Sequence, residues 1–551
     1  MNSGDSNLSG AFSGWKERWL VWLLCGVAGL RVFVYAAAFP FFNNVDEPAH
    51  FDLVMKYSLL RMPAGMEDFS PESIPSIVLF SSPEYLLTPD QFPDGKYPAP
   101  RWLHPSEPVG LVFAGSPSWW ETHPNHESTG GPLYYVVAGM WTRLGRWCGL
   151  ENIYLLYWIR FLNIPLAAAL VWLGYAAARM VFPGRICPRL GVPLLLAFFP
   201  QEIFYSIQSD TLSPLCFGAA FIGLARWLQT DAPSPRLGAL TGLALAATWL
   251  VKVTNMPLVA VAVVAVMIKS LALVRAGKGR AGLPALALLL LCAALPIGGW
   301  CLWSLHAFGD LTGSSAKIQY LGWTRKPFSD WWRHPIFTPA GLGTFVSDLL
   351  AGFWRGEFLW RRQPLAMPGA DAFYWISSLL LPGVAVAGLF WKGPGLTAGQ
   401  RANGDGHRPL LQPFGRAALP RRPELGRSSS FALPDYEISG LTAGQRQALW
   451  LSFWCFAASV GFLGLASIAF DFGKCVNPSR AHPYFTSGRL LCGALIPFLL
   501  LYAHGLDKAL GPVKSGAARM LALGGIVLCV AVLELVLNLP AFTSQYNWFH
   551  L

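Results

Sequence analysis

Apolar runs of about twenty residues recur along this 551-residue chain, separated by short polar turns and by two much longer polar stretches. A helix of about 20 mostly apolar residues crosses the hydrocarbon core of a bilayer. The pattern therefore predicts an all-α polytopic membrane protein. About eleven spans are expected, near 19–40, 158–178, 190–207, 212–229, 237–251, 256–273, 282–305, 372–391, 447–470, 490–506 and 517–538. The first run, Trp19 to Pro40, is too long for a signal-peptide core and lacks a small-residue cleavage site after it, so it is expected to be retained. The stretch from Pro132 to Trp141 is also apolar, but Arg143 and Arg146 follow it closely. It is expected to lie in the membrane interface as an amphipathic helix, since a crossing there would put Arg179, Arg185 and Arg189 on the wrong side.

With that assignment every basic loop falls on one side: Arg179–Arg189, Arg275–Lys278–Arg280, Lys392 to Arg446, and Lys508–Lys514–Arg519. The positive-inside bias makes this side cytoplasmic, together with the N-terminal residues 1–18. Two long loops, 41–154 and 306–371, then lie outside. Their Trp119–Trp120, Trp331–Trp332, Trp354 and Trp360 are expected in helices at the headgroup level, where an amphipathic ring is satisfied. The chain divides into a transmembrane module 19–305 that includes the first outer loop, a second outer loop 306–371, and C-terminal spans within 372–551. Segment 392–446 is rich in Gly, Pro, Arg and Ser and is expected to be a disordered cytoplasmic loop. A seven-residue repeat, Gly395 to Arg401 and Gly440 to Arg446, brackets it. Two copies make a duplicated loop segment and not a solenoid.

Composition agrees and narrows the classes. Hydrophobic residues make up 54% and charged residues 13% of the chain, against about 25% charge in soluble domains. Mean hydropathy is +0.42. A disordered chain, a nucleic-acid-binding domain and a cytosolic enzyme with one core are excluded. The net charge of +11, from 41 basic and 30 acidic residues, concerns orientation and not a nucleic-acid partner. The ten cysteines are scattered, without zinc-ligand spacing.

The densest chemistry follows the first span, in Asn44–Val45–Asp46–Glu47–Pro48–Ala49–His50–Phe51–Asp52. Adjacent carboxylates near hydrocarbon are costly unless used or paired. In a partly dehydrated pocket their charges are expected to raise one pKa, which favours a general base. The alternative is a plain helix start, with Asp46 as cap and Glu47 complementing the dipole. Lys252 breaks an apolar hairpin, and an intramembrane cation is a functional candidate. Arg160 and Arg489 fall at outer span ends, where snorkelling to lipid phosphate is the other reading. Asp210 is either a helix cap before Thr211 or a group that positions Asp46's partner or a metal. Asp46, His50, His123, His126 and Glu127 offer metal ligands, but no HExxH pattern occurs, so a divalent cofactor is only weakly signalled. Lys317, Arg325, Arg333, Arg355, Arg361 and Arg362 crowd the second outer loop.

Taken in order, these pieces resemble the GT-C superfamily of membrane glycosyltransferases, which includes dolichyl-phosphate-mannose protein mannosyltransferases and uncharacterised bacterial relatives. Asp46–Glu47 is similar to the acidic motif of the first outer loop. His126 with Pro132–Leu133–Tyr134–Tyr135 resembles the stretch opening a loop helix, although His126 is not adjacent to Pro132. Arg160–Phe161–Leu162–Asn163 resembles the Arg-led start of the second span, and Pro200…Ser209–Asp210 the segment whose acid returns to the outer face. Ser487–Gly488–Arg489–Leu490 resembles the entry to a late span, with Leu490 in place of an aromatic. The resemblance implies an inverting transfer of sugar from a polyprenyl-phosphate lipid to a glycan, lipid or protein acceptor at the outer face of a membrane, expected to be a bacterial inner membrane. It implies Asp46 as general base with Glu47 assisting, Arg489, Lys252 and Arg160 on the donor phosphate, and Asp210, His50 and His126 in support of acceptor or metal. The rival is a transporter or lipid flippase with Asp46, Asp210 and Lys252 as a charge relay, which would favour inverted halves with matching broken helices.

Overall fold

The computed structural model describes residues 14–44, 46–103, 117–390, 441–473, 475 and 478–547. It is helical almost throughout, with only two-residue strands. Nine helices among the described residues are long and apolar enough to cross a bilayer: Trp15–Ala38, Asn152–Val181, Ser209–Gln229, Val253–Arg275, Gly279–Phe308, Pro368–Phe390, Ala443–Ala469, Gly488–Ala509 and Gly516–Leu537. This is a multi-pass, all-α membrane protein.

Two of the expected spans are not among these nine. Where 190–207 was predicted, Ile186–Ala197 has 12 residues, and where 237–251 was predicted, Pro235–Val251 has 17. At 1.5 Å per residue these measure about 18 and 26 Å. Pro200 explains the first, because the residue before a proline avoids helical geometry and the chain leaves the helix at Phe198. The second ends at Lys252, whose φ of −160° is extended. It packs backbone to backbone on Gly279–Phe308. A Cβ on Gly238 would stand 2.0 Å from the Ala285 carbonyl oxygen, the small-residue contact usual between membrane helices.

The helix Gly488–Ala509 is almost wholly buried and forms the axis of the bundle, whereas Gly279–Phe308 lies at its edge. Arg31 ties the first span to the last. Its Nη1 lies 2.6 Å from Glu534 Oε1. Its Nε and Nη2 donate to the Ala197 and Phe199 carbonyls at 3.0 and 2.8 Å. One guanidinium thus satisfies the carbonyls left by the break in Ile186–Ala197.

The segments following Ala38 and Phe308 pack against one another at one end of the bundle. The first is organised on Asp52, which is fully buried and accepts from Ser70 N and Oγ, Ser73 Oγ and Asn125 Nδ2 within 2.8 Å. Helix Leu133–Trp147 buries Tyr134, Tyr135, Ala138 and Thr142 and exposes Val136, Met140, Leu144 and Trp147. A helix is thus present where one was expected, with one buried face and an exposed apolar one.

Three expectations change. Trp354 is fully buried, stacks on Tyr374 at 5.4 Å and donates to Ser378 Oγ at 2.8 Å, so its ring is core and not a headgroup anchor. Trp120 is likewise buried against Phe69, while Trp332 is exposed. The segment 391–440, most of the expected disordered loop with the first repeat copy, lies outside the described residues, as do residues 1–13. The second copy is no loop: Thr442 and Gln445 form a reciprocal capping box that starts Ala443–Ala469.

Candidate functional site

Asp46 precedes the helix Glu47–Ser58 in the left-handed region, with φ 67°. Asp tolerates this conformation better than most residues. It occupies the N-cap position, yet its carboxylate makes no cap hydrogen bond. The carboxylate turns outward instead. Oδ2 lies 2.5 Å from Arg489 Nη2 and Oδ1 lies 3.1 Å from His126 Nε2. The capping reading of Asp46 is thereby set aside.

A ring of partners surrounds this pair. Lys317 forms an ion pair with Glu127, and Glu127 also lies 3.7 Å from His126. Tyr320 stacks on His126 at 5.9 Å with nearly parallel planes. Arg489 reaches Gln208 Oε1 at 3.3 Å and Glu357 at 3.6 Å. Six segments, up to 443 residues apart in the chain, meet at one point. Burial would raise the Asp46 carboxyl, but Arg489, His126 and Lys317 outweigh it and hold it well below the usual range. Glu127 is lowered in the same way, burial being overcome chiefly by Lys317. Both are carboxylates at neutral pH, and the expected raising of the Asp46 pKa is corrected: its nearest charges are cations, not Glu47, which is taken up by Arg160.

Glycine places Arg489. A Cβ on Gly488 would stand 2.0 Å from Phe353 N and 2.1 Å from the Gly352 carbonyl carbon. Gly488→Ala should therefore separate the Arg489 turn from helix Pro339–Arg355 and destabilise the protein by about 1–3 kcal/mol, measured as a lowered thermal midpoint in detergent.

Glu47 and Arg160 form a different structure. Glu47 is fully buried, and Arg160 is 1% exposed. Arg160 Nε and Nη2 each lie 2.8 Å from a Glu47 oxygen. The remaining guanidinium donors go to the carbonyls of Ala36, Phe39 and Pro40 at 2.6–3.1 Å. Glu47 also accepts from Phe42 N and Ile207 N. Arg160 has no donor left for a phosphate, and Glu47 no free oxygen facing Asp46's partners. The assignment of Arg160 to donor phosphate is corrected to capping the C-terminal carbonyls of the first span.

Lys252 and Asp210 find each other, Nζ to Oδ2 at 2.6 Å, beside the helix break. Asp210 thus pairs with Lys252, not with Asp46. His50 is fully buried. Its Nδ1 is 2.8 Å from Tyr135 OH, and its Nε2 has no hydrogen-bond partner among the described residues. Burial pulls its pKa down to about 4, so it is neutral at pH 7. His50 thus supports the loop packing. An unfolded histidine titrates near 6.5, so the unfolded chain binds the extra proton between pH 6.5 and 4. Stability should be fully present above pH 6.5 and fall by up to about 3 kcal/mol as pH drops to 4. His50→Gln should flatten this part of a pH-dependent melting curve.

Asp46, His126 and Glu127 offer three ligand atoms within 4.8 Å of one another, the spacing of a divalent cation site. Arg489 and Lys317 already neutralise the two carboxylates, so the donor set favours internal ion pairing over a metal. His123 stays apart, stacked on Trp119 at 3.8 Å.

No protein-family model matches the chain, and no curated protein matches it significantly.

Sequence reasoning missed Gln208, Tyr320 and Glu357 as members of the ring. Gln208, two residues before Asp210, carried a positional signal. Glu357 and Tyr320 carried none.

Proposed function

We propose that this protein is a membrane glycosyltransferase that moves a sugar from a polyprenyl-phosphate lipid to a hydroxyl acceptor. The observation that carries the reading is the Asp46 carboxylate, turned away from its cap role towards Arg489 and His126. The acceptor oxygen attacks the anomeric carbon, and Asp46 takes the hydroxyl proton. The bond to the lipid phosphate breaks with its electron pair on the phosphate, inverting the centre. A leaving phosphate gathers negative charge, and preorganised cations stabilise it. Arg489 and Lys317 stand beside the base, with the Lys252–Asp210 pair as the further charged group at this end of the bundle. His126 orients Asp46.

In this reading the two shorter helices complete eleven crossings, and the loops 41–154 and 306–371 face the periplasm of a bacterial inner membrane with helix Leu133–Trp147 in the interface. The acceptor is a glycan, lipid or protein. The order of the short motifs, with their resemblance to GT-C enzymes, and the excess of Lys and Arg in the opposite loops support it. Transfer of radiolabel from a polyprenyl-phosphate sugar by the purified protein tests the activity, and its absence with every donor sugar tried would overturn it. Ser128 is buried, so cysteine labelling at the exposed Ser329 of the second outer loop from outside, and within 402–430 only from inside, tests the orientation.

One observation favours a transporter instead: Asp210, at the start of one span, and Lys252, in the turn between two others, form a charged pair among apolar helices, where such a pair can serve as a charge relay. Counterflow in proteoliposomes separates the two.

A further inference from the structure

The hairpin Leu359–Trp360/Gln363–Pro364 turns through Arg361 and Arg362. Both have positive φ, 54° and 66°. A two-residue hairpin turn of this kind normally uses Asn-Gly or Gly-Gly, because only such residues enter the left-handed region cheaply. Two adjacent arginines there are strained, and strain held in this way clusters at binding sites. The turn is clamped from behind. Arg361 N and Arg362 N donate to the carbonyls of Glu84 and Tyr85 at 2.7 and 3.1 Å.

The side chains are oriented as well. Arg362 Nε donates to the Leu86 carbonyl at 2.6 Å, and the Arg361 guanidinium lies 5.8 Å from the centre of the Tyr97 ring. Both residues are exposed, and neither forms an ion pair with a carboxylate among the described residues. The Arg361 guanidinium also bonds the Tyr97 side chain and is in electrostatic reach of the Glu84 carboxylate, and the two exposed guanidinium groups together hold more N–H donors than these contacts use. That is the complement of a tetrahedral oxyanion, which takes paired N–H donors from a planar fork.

We propose that the Arg361–Arg362 turn is a phosphate-binding site at the rim of the candidate active site. Glu357, which contacts Arg489, lies four residues before Arg361, about 13 Å of extended chain. The ring of Tyr85 is in electrostatic reach of Asp46, Arg489 and Glu357, while its carbonyl holds the turn. A phosphate gripped here sits outside the Arg489–Lys317 cluster. Its assignment as the phosphate of an acceptor, not of the donor, rests on the glycosyltransferase reading, but the binding itself does not.

The test uses the full chain in phosphatidylcholine nanodiscs, with inorganic phosphate and N-acetylglucosamine 1-phosphate as probes, read by calorimetry. R361N/R362G gives the turn its preferred residues, so the thermal midpoint should hold or rise while probe affinity falls at least tenfold. Affinity unchanged in the double variant, or no phosphate binding by the wild type, overturns the proposal. A purely structural pair of arginines would instead move the melting point and leave binding alone. Nanodiscs with phosphatidylglycerol assign the source: loss of probe binding there shows that lipid headgroups fill the site, and retained binding shows a soluble phosphate group does.

Discussion

Asp46→Asn should lower sugar transfer by about 10²–10⁴-fold, the loss typical of a general acid–base group, with the protein still folded. Asparagine keeps the shape, tolerates the left-handed backbone at φ 67° and still accepts a hydrogen bond from His126. Arg489 retains Gln208 and Glu357 as partners, so its charge is not left bare in a buried place. The loss should fall on kcat, because the proton is taken in the transition state. Asp46 is held far below the usual carboxylate range. It is therefore ionised throughout neutral and mildly acidic pH, and any acidic limb of the rate profile above pH 5 belongs to another group. Full transfer activity by a normally melting Asp46→Asn protein would remove Asp46 from the mechanism.

The neighbouring carboxylate should behave in the opposite way. Glu47→Gln and Arg160→Ala each leave one half of a buried, bidentate ion pair without its partner. Breaking such a pair from one side costs about 3–5 kcal/mol, since the remaining charge stays desolvated. Arg160→Ala also strands the Ala36, Phe39 and Pro40 carbonyls. Arg160→Lys should not rescue, because three donors on a point charge cannot replace five in a plane. The measurement is the thermal midpoint in detergent together with the yield of monodisperse protein. A Glu47→Gln protein that melts like the wild type but has lost transfer would return Glu47 to the chemistry.

Adjacent in sequence, Asp46 and Glu47 thus part company in space. Successive residues at a helix start point in different directions, and here one direction leads to the Arg489–His126 cluster and the other into the bundle. Nothing in the local pattern distinguishes them. The same holds for the three candidate phosphate ligands. Arg489, Lys252 and Arg160 all sit at helix ends and look alike in sequence. Only their partners, Asp46, Asp210 and Glu47 in turn, separate the cation beside the candidate base from the buried structural one.

The membrane class, the helical fold and the position of nearly every apolar helix were legible in the sequence, because hydrophobic length is a local property that the bilayer reads residue by residue. So was the concentration of charge after the first span. The tertiary structure alone decided that the span expected at 190–207 stops at Ala197, that Trp354 is core, and that Asp46 meets Arg489. It also decided which carboxylate is sealed and which is accessible. Those outcomes depend on contacts between residues hundreds of positions apart, and burial and ion pairing are properties of such contacts, not of the residues that make them.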